Sequence, residues 1–217
     1  MSNDLTARGF THIHELKPGH RLFQPLYNYL IILSALGHAS SLMIGGKTHT
    51  EAKPQMRLQT QLGHAFILPL RGPLESALQN YPPAAIQIGV VALNEQSPQI
   101  VNPKLVTSGL INVSTQALAP QFLIFFERYN EWMTATHGDA VNWPSVLNFA
   151  RVVRNAIAHG KINIRNQKAP AVAWQIFSYS YADNGRQIIG PDLSAGDIFS
   201  LMFDADKALD EIGAPVL

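Results

Sequence analysis

The chain has no cysteine, which excludes disulfides, cysteine-based zinc sites and a thiol nucleophile. It is also poor in charge. Charged residues make up 14% of the 217 positions, against about 25% in a typical soluble domain. A weakly charged chain often hides surface in an oligomer, so a homodimer is expected. The formal net charge of +1 excludes a histone-like electrostatic binder but not a local basic patch. The first eight residues lack the basic stretch and apolar run of a secretory leader, so a cytoplasmic protein is expected. No phosphate-binding glycine loop, dinucleotide fingerprint or zinc-protease motif is present, which argues against P-loop nucleotide hydrolysis.

One long stretch has no charge at all. Residues 22–46 could span a bilayer by length, but Gln24, Asn28, Ser34, His38, Ser40 and Ser41 are spread through it. With Pro25 near its start and Gly45-Gly46 at its end, it reads as a buried helix of a bundle or dimer, and no membrane partner is expected.

Along the chain, residues 1–21 read as an N-terminal arm and residues 22–217 as one domain. His12 and His14 in the arm have strand spacing, but no further ligand completes a metal site. After a polar connector at 45–54, the spacing of Leu58, Leu62, Ala65 and Phe66 predicts a helix over 56–68. A short helix follows around 73–80. Residues 84–93 fit a strand or a buried helix equally, and Pro98 and Pro103 mark loops. Leu118, Phe122, Phe125, Phe126, Tyr129 and Met133 form the apolar face of a long helix over 114–136, which Pro120 could shorten to begin at Ala119. Asn142 is placed to cap the next helix, 143–159. Residues 171–190 read as a hairpin turning at Asn184-Gly185. The Ser194…Asp197 capping box opens a final helix over 195–212. The expected architecture is mainly α, a helical bundle with a small β-hairpin before the last helix.

Helix 143–159 carries the chemistry. At about 100° per residue, Arg151, Asn155 and His159 fall about 40° apart in succession, with Arg154 beside them. Val146, Phe149, Ala150, Val153, Ala156 and Ile157 cover the opposite side. Two guanidinium forks, an amide and an imidazole therefore share one face, suited to an anion such as phosphate. Lys161, Arg165 and Lys168 follow directly. A plainer reading has Arg154 and Asn155 bracing helices, with His159 at a helix C-terminus and Gly160 ending it. Asp204, Asp206, Asp210 and Glu211 read as a solvated face. Trp143, Trp174, Tyr179 and Tyr181 could pack the hairpin or stack bases.

The order Arg154-Asn155-Ala156-Ile157-Ala158-His159-Gly160 resembles the signature of the HEPN family (higher eukaryotes and prokaryotes nucleotide-binding domains). There an arginine, often followed by a polar residue, precedes a histidine by four to six positions. The resemblance implies a HEPN-like helical bundle that dimerises to form a composite site. Many members are metal-independent ribonucleases of toxin, abortive-infection and CRISPR systems, and others bind or scaffold. It implies no cofactor and no metal, with RNA and an antitoxin protein as partners. Arg154, Asn155 and His159 match the signature residues. Arg151, Lys161 and Arg165 are added as phosphate or RNA contacts from their place beside it.

Overall fold

The structure, a computed structural model, describes residues 10–45, 55–93 and 107–216. Most of the connector at 45–54, and the loops at Pro98 and Pro103, lie outside the described residues. The elements run β1 (His12–Leu16), α1 (Phe23–Gly45), β2 (Gln55–Gln59), β3 (His64–Pro69), α2 (Arg71–Leu78), β4 (Ile86–Ala92), α3 (Thr107–His137), α4 (Ser145–His159), β5 (Val172–Trp174), β6 (Phe177–Tyr179) and α5 (Ala195–Glu211).

A four-stranded antiparallel sheet, in the order β1-β4-β3-β2, corrects the expectation of a mainly α bundle with one small hairpin. Residues 56–68 are the hairpin β2–β3, not a helix. The helical spacing there was real but competed with an alternating pattern. Leu58, Phe66 and Leu68 are buried on one side, and Gly63 sits at φ +79° in the turn. Thr60 pins that turn, its hydroxyl donating to the His64 carbonyl at 2.9 Å and accepting from Leu62 N at 3.1 Å. Residues 84–93 resolve as the strand β4. The segment read as an arm contributes β1, whose Leu16 pairs with Ile86 across the sheet.

Leu16, Ile86, Ile88, Phe66, Leu68 and Leu58 give the sheet one buried face. Helix α5 lies against it through Phe199 and Phe203, which contact the Phe66 ring at 4.8 and 5.9 Å. The same helix packs on α3 and α4, so it joins the sheet to the helical layer. Helix α1 is the uncharged stretch, with Leu22, Leu26, Tyr29 and Leu30 buried. The Tyr29 hydroxyl lies 2.6 Å from Ser114 Oγ on α3. Among the described residues, no helix is long and apolar enough to cross a membrane.

Helix α3 runs through Pro120 instead of starting at Ala119. An interior proline costs about 3 kcal/mol. Burial of Leu118, Phe122, Phe125, Phe126, Tyr129 and Met133 offsets it. Helix α4 begins after Pro144 with no side-chain cap. Asn142 lies in a short 3₁₀ turn, Ala140–Asn142, and donates to the His137 carbonyl instead.

The second hairpin turns at Gln175-Ile176, nine residues before the expected place. Asn184 is unavailable for a hairpin turn because its amide is spent on Ile164, accepting from that residue's N at 2.7 Å and donating to its carbonyl at 2.8 Å. Residues 187–189 form only a single bridge, Ile189 to Leu193. Gln175 has φ +53°, where side chains are strained. Gln175→Gly is therefore expected to raise stability by about 0.5–1 kcal/mol, after the greater chain entropy of glycine is set against the relieved strain. Thermal unfolding checks it, and a lowered melting temperature would contradict the strain.

The carboxylates of α5 are not a uniformly solvated face. Asp206 is buried, 3.6 Å from the equally buried Arg21, with His20 Nε2 at 3.5 Å. Burial pushes the Asp206 carboxyl above its ordinary range, against the pull of His20 and Arg21. Arg21 also pairs with Asp210 and donates to the carbonyls of Ala214 and Pro215, tying the start of α1 to the end of α5.

Candidate functional site

Helix α4 buries Leu147, Phe149, Ala150, Val152, Val153 and Ala156, so its apolar side is consumed by packing against α3 and α5. This fixes the rotation of the helix. Arg151, Arg154 and Asn155 are left half-buried at the margin, and His159 is exposed at the last position. Gly160 follows at φ +73°, a left-handed end that glycine adopts without strain. The chain then turns away from the helix.

The four stripe residues have different surroundings. Arg154 reaches across to Glu127 on α3 through Nε and Nη2, and its Nη1 donates to Asn155 Oδ1 at 2.8 Å. These contacts take three of its five N–H groups, which leaves two directions for an incoming oxygen. The pair is partly exposed, Arg154 at 30% and Glu127 at 42%, so its value lies more in orienting the guanidinium than in stability. Arg151 donates from Nε at 3.2 Å and Nη2 at 3.0 Å to Asn148 Oδ1. Burial lowers its pKa from the ordinary value, without threatening its charge at neutral pH. His159 makes no hydrogen bond or ion pair to any described residue, so its imidazole is free to meet a ligand.

Beyond Gly160 the chain alternates. Ile162 and Ile164 are buried, while Lys161, Asn163 and Arg165 face solvent. Backbone bonds from Ile162 N to the Arg186 carbonyl (2.9 Å) and from Gly185 N to the Ile162 carbonyl (3.1 Å) hold the segment in place. Lys161 and Arg165 are thus exposed cations on an anchored strap directly after His159. Of the aromatics that could have stacked bases, Trp143, Trp174 and Tyr179 are buried, and Phe149 stacks on Tyr179 at 5.4 Å. Trp174 and Tyr179 pack the hairpin against Phe149 of α4, whereas Trp143 donates from Nε1 to the Gly138 carbonyl at 3.1 Å. Tyr181 alone of the four is exposed.

Sequence reasoning missed Glu127 and Asn148. Asn148 was legible, three residues before Arg151 on the same helix. Glu127 was not, since only the packing of α3 on α4 brings it to Arg154. Among the described residues, no group of three or more histidines and carboxylates could hold a metal ion. Compared with models of protein families, with curated proteins and with solved structures, the chain matches none.

Proposed function

We propose that this chain is a cytoplasmic, homodimeric RNA-binding protein that cleaves RNA without a metal ion, using Arg154, Asn155 and His159. The observation that carries the reading is His159: a solvent-open imidazole without a partner among the described residues, five residues along the same helix from an oriented guanidinium. Transesterification of RNA requires a base for the ribose 2′-hydroxyl, cations for the phosphorane and an acid for the leaving 5′-oxygen. Imidazole titrates near neutrality and suits proton transfer. Arg154 grips the phosphate while Asn155 holds the fork. Arg151, Lys161 and Arg165 supply sequence-independent attraction to the backbone. Each chain brings one such histidine, so an acid and a base of the same kind require two copies. The motif's resemblance to HEPN ribonucleases supports the same chemistry and suggests a defence or toxin–antitoxin role with a protein antitoxin.

A second reading has one specific observation behind it. Glu127 offsets much of the Arg154 charge, as expected of a brace in a non-catalytic dimeric module. RNA incubated with the protein in excess chelator decides between the two. Cleavage leaving 2′,3′-cyclic phosphate ends is expected, with His159→Ala and Arg154→Ala each slowing it about 10²-fold or more. Absence of cleavage, or cleavage untouched by either substitution, overturns the catalytic reading. Light scattering on the same sample tests the dimer.

A further inference from the structure

Two neighbouring helices carry long runs without charge. Helix α1 has no charged residue in its 23 positions, and α3 has none from Thr107 until Glu127. At 14% charged overall, the two runs should together hold about six charges. Burial explains only their inward faces. Outward, α1 presents Gln24, Ile32, Ala35 and Ala39 at helical spacing, and α3 presents Val113, Gln116, Pro120 and Ile124. Positions open to water ordinarily take lysine, arginine or glutamate. Helix α3 itself supplies the contrast, since past Phe126 its exposed positions turn charged at once, with Glu127, Arg128 and Glu131.

The two stripes join into one face. The Arg21 guanidinium lies 5.7 Å from the Tyr129 ring centre, and Asn28 donates to Gln121 Oε1 at 3.4 Å, so α1 and α3 run antiparallel. Gln24 Nε2 donates to Asn28 Oδ1 at 2.8 Å, which extends this amide ladder from the exposed stripe of α1 across the seam to α3. Three large apolar side chains stand in the face partly open to water: Ile32 at 38%, Val113 at 41% and Ile124 at 44%. Roughly 30 Å long and 20 Å wide, the face covers about 600 Å² in plan. That is of the order of the ~800 Å² per partner buried in a stable complex. The face also borders the α4 stripe. Helices α3 and α4 are joined by the loop 138–144 and meet at Glu127 and Arg154, so they too run antiparallel. His159 is therefore carried about 7 Å back along α3 from Glu127, to the level where the charge-free half begins.

We propose that this charge-free face of α1 and α3 is where a second copy of the chain docks, about a twofold axis. This interface rests on the dimeric reading above and gives it a surface. A twofold axis sets a patch against itself. Any charge near the axis then meets its own kind and is repelled, and a face without charge escapes that cost. Gln24, Asn28 and Gln116 suit the arrangement, because an amide both donates and accepts and so pairs with its own copy. A different protein is steered and selected by charge, and an interfacial helix holds a membrane with lysine and arginine. This face offers neither. With the chains so paired, each His159 stands at the rim of one shared interface.

Sedimentation velocity of the full chain reads the association. The wild-type chain is expected to be dimeric at about 10 µM. Ile32→Glu and Ile124→Glu, at exposed positions of the face, should each weaken the dimer about 100-fold or more. Val141→Glu and Ile176→Glu are the controls. Those residues are also apolar, lie off the face and are more exposed, at 65% and 68%, and the dimer should survive both. Circular dichroism checks folding, and Ala35→Arg, which removes no packed side chain, repeats the test if either face variant unfolds. The interface is overturned by a monomeric wild-type chain, by a dimer that the face variants leave intact, or by one that the control variants dissolve. A monomer that pellets with phosphatidylcholine vesicles gives the face to lipid, which equally overturns it. RNA cleavage, scored on the same samples, separates this interface from the catalytic reading. A dimer lost only in the face variants but inert on RNA keeps the interface and removes the nuclease. A cleaving dimer indifferent to those variants does the reverse.

Discussion

Gly196→Ala is expected to destabilise the protein by about 3 kcal/mol, lowering the melting temperature by roughly 6–12 °C for a chain of this size. The sign is not obvious, because alanine is the better helix former by up to about 1 kcal/mol. Packing decides it. A Cβ on Gly196 would lie 2.2 Å from the Gln59 carbonyl oxygen, 2.6 Å from its carbon and 3.1 Å from Thr60 N. These are backbone atoms of the β2–β3 hairpin and cannot rotate away. To relieve the overlap, α5 must retreat from the hairpin. That stretches the bonds from Gln61 N to Asp197 (2.8 Å) and from Ser194 Oγ to the Gln59 carbonyl (3.2 Å). Gly89 is the control. The nearest atoms to a Cβ there belong to the Phe10 ring, at 2.4 Å, and a side chain can swing aside. Gly89→Ala should cost under about 1 kcal/mol. If the two variants melt alike, the contact between α5 and the hairpin is wrongly described.

Asp197→Ala is the second large effect, about 4 kcal/mol by urea unfolding. The residue is fully buried. Its carboxylate accepts from Gln61 N at 2.8 Å, Ser194 N at 2.9 Å and Ser194 Oγ at 2.6 Å. Truncation strands two backbone N–H groups, each worth about 1–3 kcal/mol when buried without a partner. It also removes a negative charge from the first turn of α5, where the helix dipole favours one, typically about 0.3–1 kcal/mol. Asp197→Asn retains one good acceptor and should cost about half as much. A loss below about 1 kcal/mol for the alanine variant would show that the junction tolerates water. Gly196 and Asp197 serve the same junction, so the double variant should cost less than the sum of the two.

That junction also separates what was legible from what was not. Ser194 and Asp197 announce a helix start from four consecutive residues, and α5 begins at Ala195 with the capping box formed. The second function of Asp197, holding Gln61 of a hairpin 136 positions earlier, has no local mark. The hairpin itself was read as a helix. Leu58, Leu62 and Phe66 satisfy both periods over so short a span, Ala65 only the helical one, and only pairing with β4 settles which is used. The Asn184-Gly185 turn failed for a related reason. An asparagine side chain can complete its own turn or serve another segment, and Ile164 claimed it.

In the site, the sequence alone determined the stripe. The 3.6-residue period of α4 and the glycine after His159 are local properties, and they place Arg151, Arg154, Asn155 and His159 without knowledge of the rest. The faces of α3 and α5 follow from the same periodicity. Tertiary structure decided what those side chains meet, Glu127 on Arg154 and an unengaged His159, and set α1 beside the charge-free half of α3. The four-stranded sheet belongs to that second group, with β1 and β4 joined although 78 positions separate His12 from Val90. Helical order depends on neighbours within four residues. Strand pairing, and the ends of long charged side chains, depend on segments that only folding brings together.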